Sequence, residues 1–217
     1  MTELEKLTQD PEKARDRGVA RRQAFLRAAR EVFFEAGYEA ASVNDVVARA
    51  GGSLATLYSQ FGSKEGLFLA VVRDQFERLR QDISAEAVQH LPLEEGLVRL
   101  GEQVLQVMLQ PDYLAFNRLL VNEGRKFPDL VRRMAEGESE ETRFGIECYL
   151  HERSTAEGRP IADPKDAAQY FVSLLRTRHL FNAITDPAYT LTPEQLQAHV
   201  QATVNLFLHG VLPPRGV

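Results

Sequence analysis

Apolar positions along the chain recur with the period of a helix, and no useful stretch alternates as a strand would. Phe25, Ala29, Val32, Phe33 and Ala36 fall on one stripe, which predicts a first helix over Gly18 to Ala36 with Gly37 as its left-handed stop. Ser42 caps a short second helix to Ala50, with Val43, Val46, Val47 and Ala50 inward and Asp45 at the capping-box position. Gly51-Gly52 turns the chain. Ser53 then caps a third helix to Phe61, with Leu57, Tyr58 and Phe61 on its inward side. Gly62 ends that helix, and Ser63 caps a long fourth one from Lys64 to His90.

Proline placement divides the remainder. None of the ten prolines lies between Glu12 and Leu91, and each later one stands at the edge of a periodic segment. The predicted helices are Leu93–Gln110, Asp112–Phe127, Asp129–Gly158 with a break near Gly137, Pro164–Thr185 and Pro193–His209. Asp163-Pro164 and Thr192-Pro193 each put a capping residue before a first-turn proline, and Asp166 and Gln195 complete box-like patterns. The expected fold is all-α.

Composition narrows the function. With 44% hydrophobic and 26% charged residues among 217, the chain buries a real core. Its longest apolar run, Leu67 to Val72, is far short of a membrane helix, and its polar start carries no apolar leader core. A single cysteine, Cys148, permits no internal disulfide and fits a reducing compartment, so a cytoplasmic protein is expected. The net charge of −5 opposes nucleic-acid binding only if it is evenly spread. It is not: from Lys13 to Arg30 seven basic residues face one acid, Asp16. A solvated helix face would carry the same charges.

Two short helices joined by a glycine turn, with a basic helix before them, are the parts of a helix-turn-helix. The second helix of such a pair must be small-surfaced to enter a major groove about 12 Å wide, and acids there would repel phosphate. Between Ala40 and Lys64 the only acid is Asp45. The reading helix offers Ser53, Thr56, Tyr58, Ser59 and Gln60, and Lys64 opens the next helix, where its charge and free backbone N–H groups suit a phosphate. The competing reading is an ordinary helical hairpin. The expected organisation is an N-terminal extension over 1–16 and a helix-turn-helix DNA-binding domain over 17–64. The long helix 64–90 leads into a helical effector-binding and dimerisation domain over 65–210, followed by a tail at 211–217.

The motif Phe25-x-x-Ala28-Ala29-x-x-x-Phe33-x-x-x-Gly37-Tyr38, then Ser42-Val43-x-Asp45-Val46, then Thr56-Leu57-Tyr58-x-x-Phe61-x-Ser63-Lys64-Glu65-x-Leu67 resembles the TetR family of bacterial repressors. Tyr113-Leu114-x-Phe116-x-Arg118-Leu119-Leu120, Phe127-Pro128-Asp129-Leu130 and Ala167-x-x-Tyr170-Phe171-x-x-Leu174-Leu175-Arg176 are similar to its AefR-like C-terminal subgroup. The resemblance implies a homodimer that reads an inverted-repeat operator in double-stranded DNA, and a C-terminal domain that binds a small-molecule effector. It implies that Ser42, Thr56, Tyr58 and Lys64 position phosphates, while Ser53, Ala55, Ser59 and Gln60 face bases. Two positions depart from the family pattern. Gly52 stands where a β-branched residue is usual, and Leu54 where a basic or polar residue is usual. Leu54 either touches a thymine methyl or, the preferred reading, is buried with Leu57, Tyr58 and Phe61. Arg21 and Arg22 reach the DNA backbone or minor groove, or form a solvated face.

Phe171, Leu174, Leu175, Arg178 and Phe181 on one helix, with Val200, Val204 and Phe207 on the next, are the expected dimer interface, an intramolecular core being the alternative. Polar residues interrupting apolar stripes suggest an effector pocket formed by Phe116, Asn117, Leu120, Glu123, Phe144, Cys148 and His151, although satisfied core or rim groups would look the same. Enzyme readings fail. Gly51-Gly52-Ser53 is not preceded by the strand a nucleophile elbow needs, the five histidines lack metal-ligand spacing, and no glycine loop cradles phosphate. No metal or cofactor is expected. The alternative to a regulator is a helical ligand-binding or scaffold protein that never meets DNA.

Overall fold

The computed structural model describes residues 11–83, 85–124, 126, 128 and 145–210, and these are helical with no strand among them. The chain forms two compact units, divided between Gln75 and Phe76. None of the described helices is long and apolar enough to cross a membrane.

The first unit holds α1 (Pro11–Ala40), α2 (Val43–Ala50), α3 (Leu54–Phe61) and the start of α4 (Lys64–Asp82). The first helix begins at Pro11 rather than Gly18, because a proline suits the first helical turn and the polar residues after it are good helix formers. Gly37 leaves helical geometry with φ 74°, so the predicted stop is real, and a last turn follows it to Ala40. Phe25, Phe33, Leu57, Phe61, Leu67 and Phe68 are buried. Phe25 meets Phe61 edge-on at 6.3 Å, and Phe33 meets Phe68 at 5.3 Å. Each such burial stabilises by roughly 1.5–3 kcal/mol.

The second unit contains a short 3-10 turn at Glu86–Val88, α5 (Leu93–Met108), α6 (Pro111–Glu123), a helical stretch over 145–156 (α7), α8 (Pro164–Thr185) and α9 (Pro193–His209). The helix expected to reach His90 ends at Asp82 instead. Ile83 has weak helix propensity, and Val88, only 2% exposed, packs into the core from a separate 3-10 turn. Similarly α6 closes at Glu123, with the Gly124 N–H donating to Leu120 O, short of the expected Phe127. Of the helix expected over Asp129–Gly158, residues 129–144 lie outside the described residues. Leu97, Leu100, Val104 and Leu105 of α5 are fully buried against Ile146, Tyr149, Phe171, Leu175, Val200 and Val204.

Two long-range contacts fix the start of α5. Glu157 Oε1 accepts the Leu93 N–H at 2.7 Å, serving as a cap supplied from the turn after α7, 64 residues along the chain. The Tyr149 hydroxyl donates to Pro92 O at 2.9 Å, and burial pushes its pKa up to about 12. Gly96 makes this possible: a Cβ there would lie 1.7 Å from that hydroxyl oxygen. At α9 the capping box forms as expected, with Gln195 N–H donating to Thr192 Oγ1 and Thr192 N–H to Gln195 Oε1.

Candidate nucleic-acid interface

The geometry of the first unit follows from its caps. Ser42 Oγ accepts the Asn44 N–H at 3.2 Å and Ser53 Oγ accepts the Thr56 N–H at 3.1 Å, so both short helices start where their serines place them. Arg49 pairs with Glu35 through two hydrogen bonds of 2.9 and 2.6 Å, clamping the end of α2 to α1. Those bonds hold the Glu35 carboxyl below its ordinary pKa range. The turn between α2 and α3 contains Gly52 at φ +101°, a conformation that β-branched residues avoid, and a Cβ there would stand 3.2 Å from the Phe25 ring. The departure from the family pattern thus has a local account.

Arg21 and Arg22 are engaged within the unit. Arg21 donates to Ala50 O at 3.2 Å, at the end of α2. Arg22 reaches Gln60 O at 3.5 Å, at the end of α3, and its guanidinium lies 4.5 Å from the centre of the Phe61 ring. Each arginine therefore meets the negative end of a helix dipole. Spacing could not reveal this, since the partners are 29 and 38 residues away.

The reading helix presents a mixed face. Leu57 and Phe61 are buried, while Leu54, Ala55, Tyr58 and Ser59 are exposed. Two expectations are corrected here. Leu54, expected in the core, is 38% exposed, and Tyr58, also expected inward, is 44% exposed. Eight residues offer the core a stripe only two side chains long, and Leu57 with Phe61 fills it. Ser53 Oγ and Thr56 Oγ1 share a hydrogen bond at 2.9 Å, and Ser59 donates to Thr56 O at 2.8 Å. Gln60 is half-buried with its Oε1 enclosed and unbonded. Ser42 is half-buried behind its cap. Lys64 Nζ donates to Glu39 O at 3.0 Å and sits 4.8 Å from the Tyr38 ring centre, closing the end of α1.

In the second unit the expected interface divides in two. Phe171, Leu175, Val200 and Val204 have no exposed surface, being enclosed by their own unit, and so cannot touch a partner. The alternative, an intramolecular core, holds for these four. Phe207 is half-buried, 5.2 Å from Phe171 between ring centres. Leu174, Arg178 and Phe181 are exposed, Phe181 by 67%. Tyr170, 62% exposed, joins them on the outward stripe, and Leu206 of α9 is exposed as well. The spacing Tyr170, Leu174, Phe181 marks a second apolar stripe on α8, and the burial of Phe171 and Leu175 is what identifies it as the outward one.

The expected pocket residues are dispersed. Phe116 and Glu123 are buried on α6, with Glu123 Oε2 3.5 Å from Lys126 Nζ. Asn117 donates to Tyr113 O within its own helix, and Leu120 is half-buried. On α7, Cys148 is half-buried, burial pushing its thiol pKa up, and His151 is exposed. Phe144 lies outside the described residues. A cavity of about 590 Å³ lies elsewhere, among Arg178, His179, Tyr189, Gln195 and His199. His179 is 2% exposed, and burial first, then His199 and Arg178, hold its pKa down to about 4. Its Nδ1 bonds the Tyr189 hydroxyl. A smaller cavity of about 250 Å³ lies among Leu93, Arg159, Ile161, Ala167, Phe207 and Leu208. None of the expected pocket residues lines either one.

A short capped helix without acids, pinned beside a second across a glycine turn, defines a helix-turn-helix protein of the DNA-binding class. Residues 25–71 match the tetR family of bacterial regulatory proteins, and residues 95–210 match the C-terminal domain of AefR-like transcriptional repressors. The chain belongs to the TetR family of transcriptional regulators, with an AefR-like C-terminal domain. The transcriptional repressor AcnR of Corynebacterium efficiens is 30% identical over 124 residues, 57% of this chain and 61% of AcnR, so the match stops short of two thirds of that relative. Among solved structures, the flavonoid-responsive regulator FrrA is 30% identical, with a TM-score of 0.73 over 90% of this chain and 98% of its own. A Mesorhizobium loti protein described as a TetR-family regulator shares the fold, with a TM-score of 0.81 and 24% identity over 88% of this chain and 96% of its own.

Proposed function

We propose that the protein is a homodimeric repressor that binds an inverted-repeat operator and releases it when a small-molecule effector binds. The observation that carries this reading is the exposed, acid-free face of α3 in a chain of TetR-family membership. Ser42, Thr56, Tyr58 and Lys64 position phosphates, and Ser53, Ala55, Ser59 and Gln60 lie toward bases. Lys64 does so while tethered to Glu39 O, which aims its remaining N–H donors. The dimer forms through the outward stripe of α8 and α9, Tyr170, Leu174, Phe181 and Leu206, where each patch meets its copy.

The effector site lies in the second unit, and Phe116, Asn117, Leu120, Glu123, Phe144, Cys148 and His151 are the residues to test for it. FrrA's flavonoid responsiveness supports an aromatic effector as the first class to test. Residues 64–82 form one helix, α4, so the effector's signal has a continuous backbone to travel along. Release requires the two reading helices to lose the spacing of successive major grooves, about 34–36 Å, and a coupling of about 1–3 kcal/mol suffices. The protein acts in the cytoplasm.

Selection of bound sequences from random duplex DNA, at two salt concentrations, tests this. The expected result is an inverted repeat whose affinity falls steeply with salt. Sequence-blind recovery, or none, overturns the repressor reading and moves the helical scaffold ahead.

A further inference from the structure

Near its start, the face that α3 offers has few uncommitted polar groups; the exposed Tyr58 hydroxyl lies a turn further along. Ser59 gives its hydroxyl proton to Thr56 O, Ser53 and Thr56 share theirs, and the Gln60 oxygen is enclosed. The Ser59 proton is committed, while the Ser53–Thr56 pair keeps one free proton between its two hydroxyls, so this face accepts more readily than it donates. What projects freely at the start of the helix is aliphatic: Leu54, 38% exposed, with Ala55 beside it. Leu54 stands one residue past the cap, at the end that leads into the groove in helix-turn-helix docking. The 5-methyl group of thymine is the apolar feature of a major-groove base edge.

We propose that Leu54, with Ala55, determines sequence preference by packing on a thymine methyl in each operator half-site. Cytosine at that place is rejected for want of the methyl and tolerated better once methylated at C5, because the carbon then occupies the same position in the groove. This inference rests on α3 being the groove helix, and the test separates the two.

The test starts from the operator recovered with the full-length protein. Each thymine is replaced in turn by deoxyuridine, which deletes only the methyl, and affinity is measured by fluorescence anisotropy at constant salt. Wild-type protein should lose about 5–20-fold at one thymine per half-site, within the range of a single base-contact change. Leu54→Ala should bind both DNAs within about 2-fold of each other, whereas Leu54→Met should keep most of the penalty. Thermal melts of both variants should stay within a few degrees of wild type, since Leu54 lies outside the core at 38% exposure. Sequence-specific binding with no deoxyuridine penalty anywhere overturns this inference and leaves the repressor intact. A penalty that persists in Leu54→Ala also overturns it, because another residue then reads the methyl. Absence of any recovered operator overturns the groove-helix reading itself.

Discussion

α3 and α8 both expose apolar side chains, yet the surroundings differ. On α3, Leu54 and Tyr58 are interleaved with Ala55 and Ser59, and only Leu57 and Phe61 are buried. α8 has 22 residues, buries Phe171 and Leu175 completely, and exposes a second stripe of Tyr170, Leu174 and Phe181. A helix apolar on two sides carries more hydrophobic surface than its own unit covers. A patch of small mixed groups suits a groove of base edges, while a long apolar stripe suits a second apolar stripe. The same property, exposure of carbon, therefore points to different partners.

The largest expected effect breaks the comparison at its base. Phe171→Ala should lower unfolding free energy by about 3–5 kcal/mol at every protein concentration, read by urea unfolding, because it opens a cavity inside one unit. Phe181→Ser should act only through assembly, making the protein monomeric in sedimentation and its unfolding midpoint independent of concentration. If Phe181→Ser sediments as wild type, the outward stripe is not the dimer face.

Next comes Gly96, whose missing side chain makes room for the Tyr149 hydroxyl. Gly96→Ala should cost about 1–3 kcal/mol by overpacking. In a Tyr149→Ala background the same change should cost less, since both the hydroxyl oxygen and the ring carbon that a Cβ would strike are gone. Equal costs in both backgrounds would show that Tyr149 is not what excludes a Cβ.

What the sequence made legible was what it settles locally. Ser42, Ser53, Asp163 and Thr192 cap helices two or three residues away, and all four bonds form. The family motif located α3 for the same reason, being a contiguous string. Contacts from afar were not legible: Arg21 on Ala50 O, Lys64 on Glu39 O and Glu157 on Leu93 N depend on how helices pack. Periodicity also cannot say which of two apolar stripes turns inward. That is why Phe171 and Phe181 looked alike, although one is enclosed and the other 67% exposed. Leu54 was assigned to the core by spacing, but an eight-residue helix lacks the inward surface to take it.

His179 sharpens the comparison at the inner side of α8. Its pKa is held down to about 4, below the ordinary histidine value near 6.5, so the unfolded chain takes up the proton first. The stability it contributes is present above pH 6.5 and is lost as pH falls from there toward 4. The loss should be about 2 kcal/mol, allowing for solvent at the cavity mouth, as read by urea midpoints across that window. His179→Gln should flatten this slope, and an unchanged slope would assign the titration to another group.

The smallest effect belongs to α3. Ser53→Ala removes the acceptor for the Thr56 N–H and should cost about 1 kcal/mol, whereas Ser53→Gly should cost only a few tenths. In stability, then, alanine is the worse substitution. If Ser53 also lies toward a base through its remaining lone pair, glycine and alanine should weaken operator binding alike, since both lack the oxygen. Parallel losses of stability and affinity would instead make Ser53 a cap and nothing more, leaving recognition to the aliphatic edge of α3.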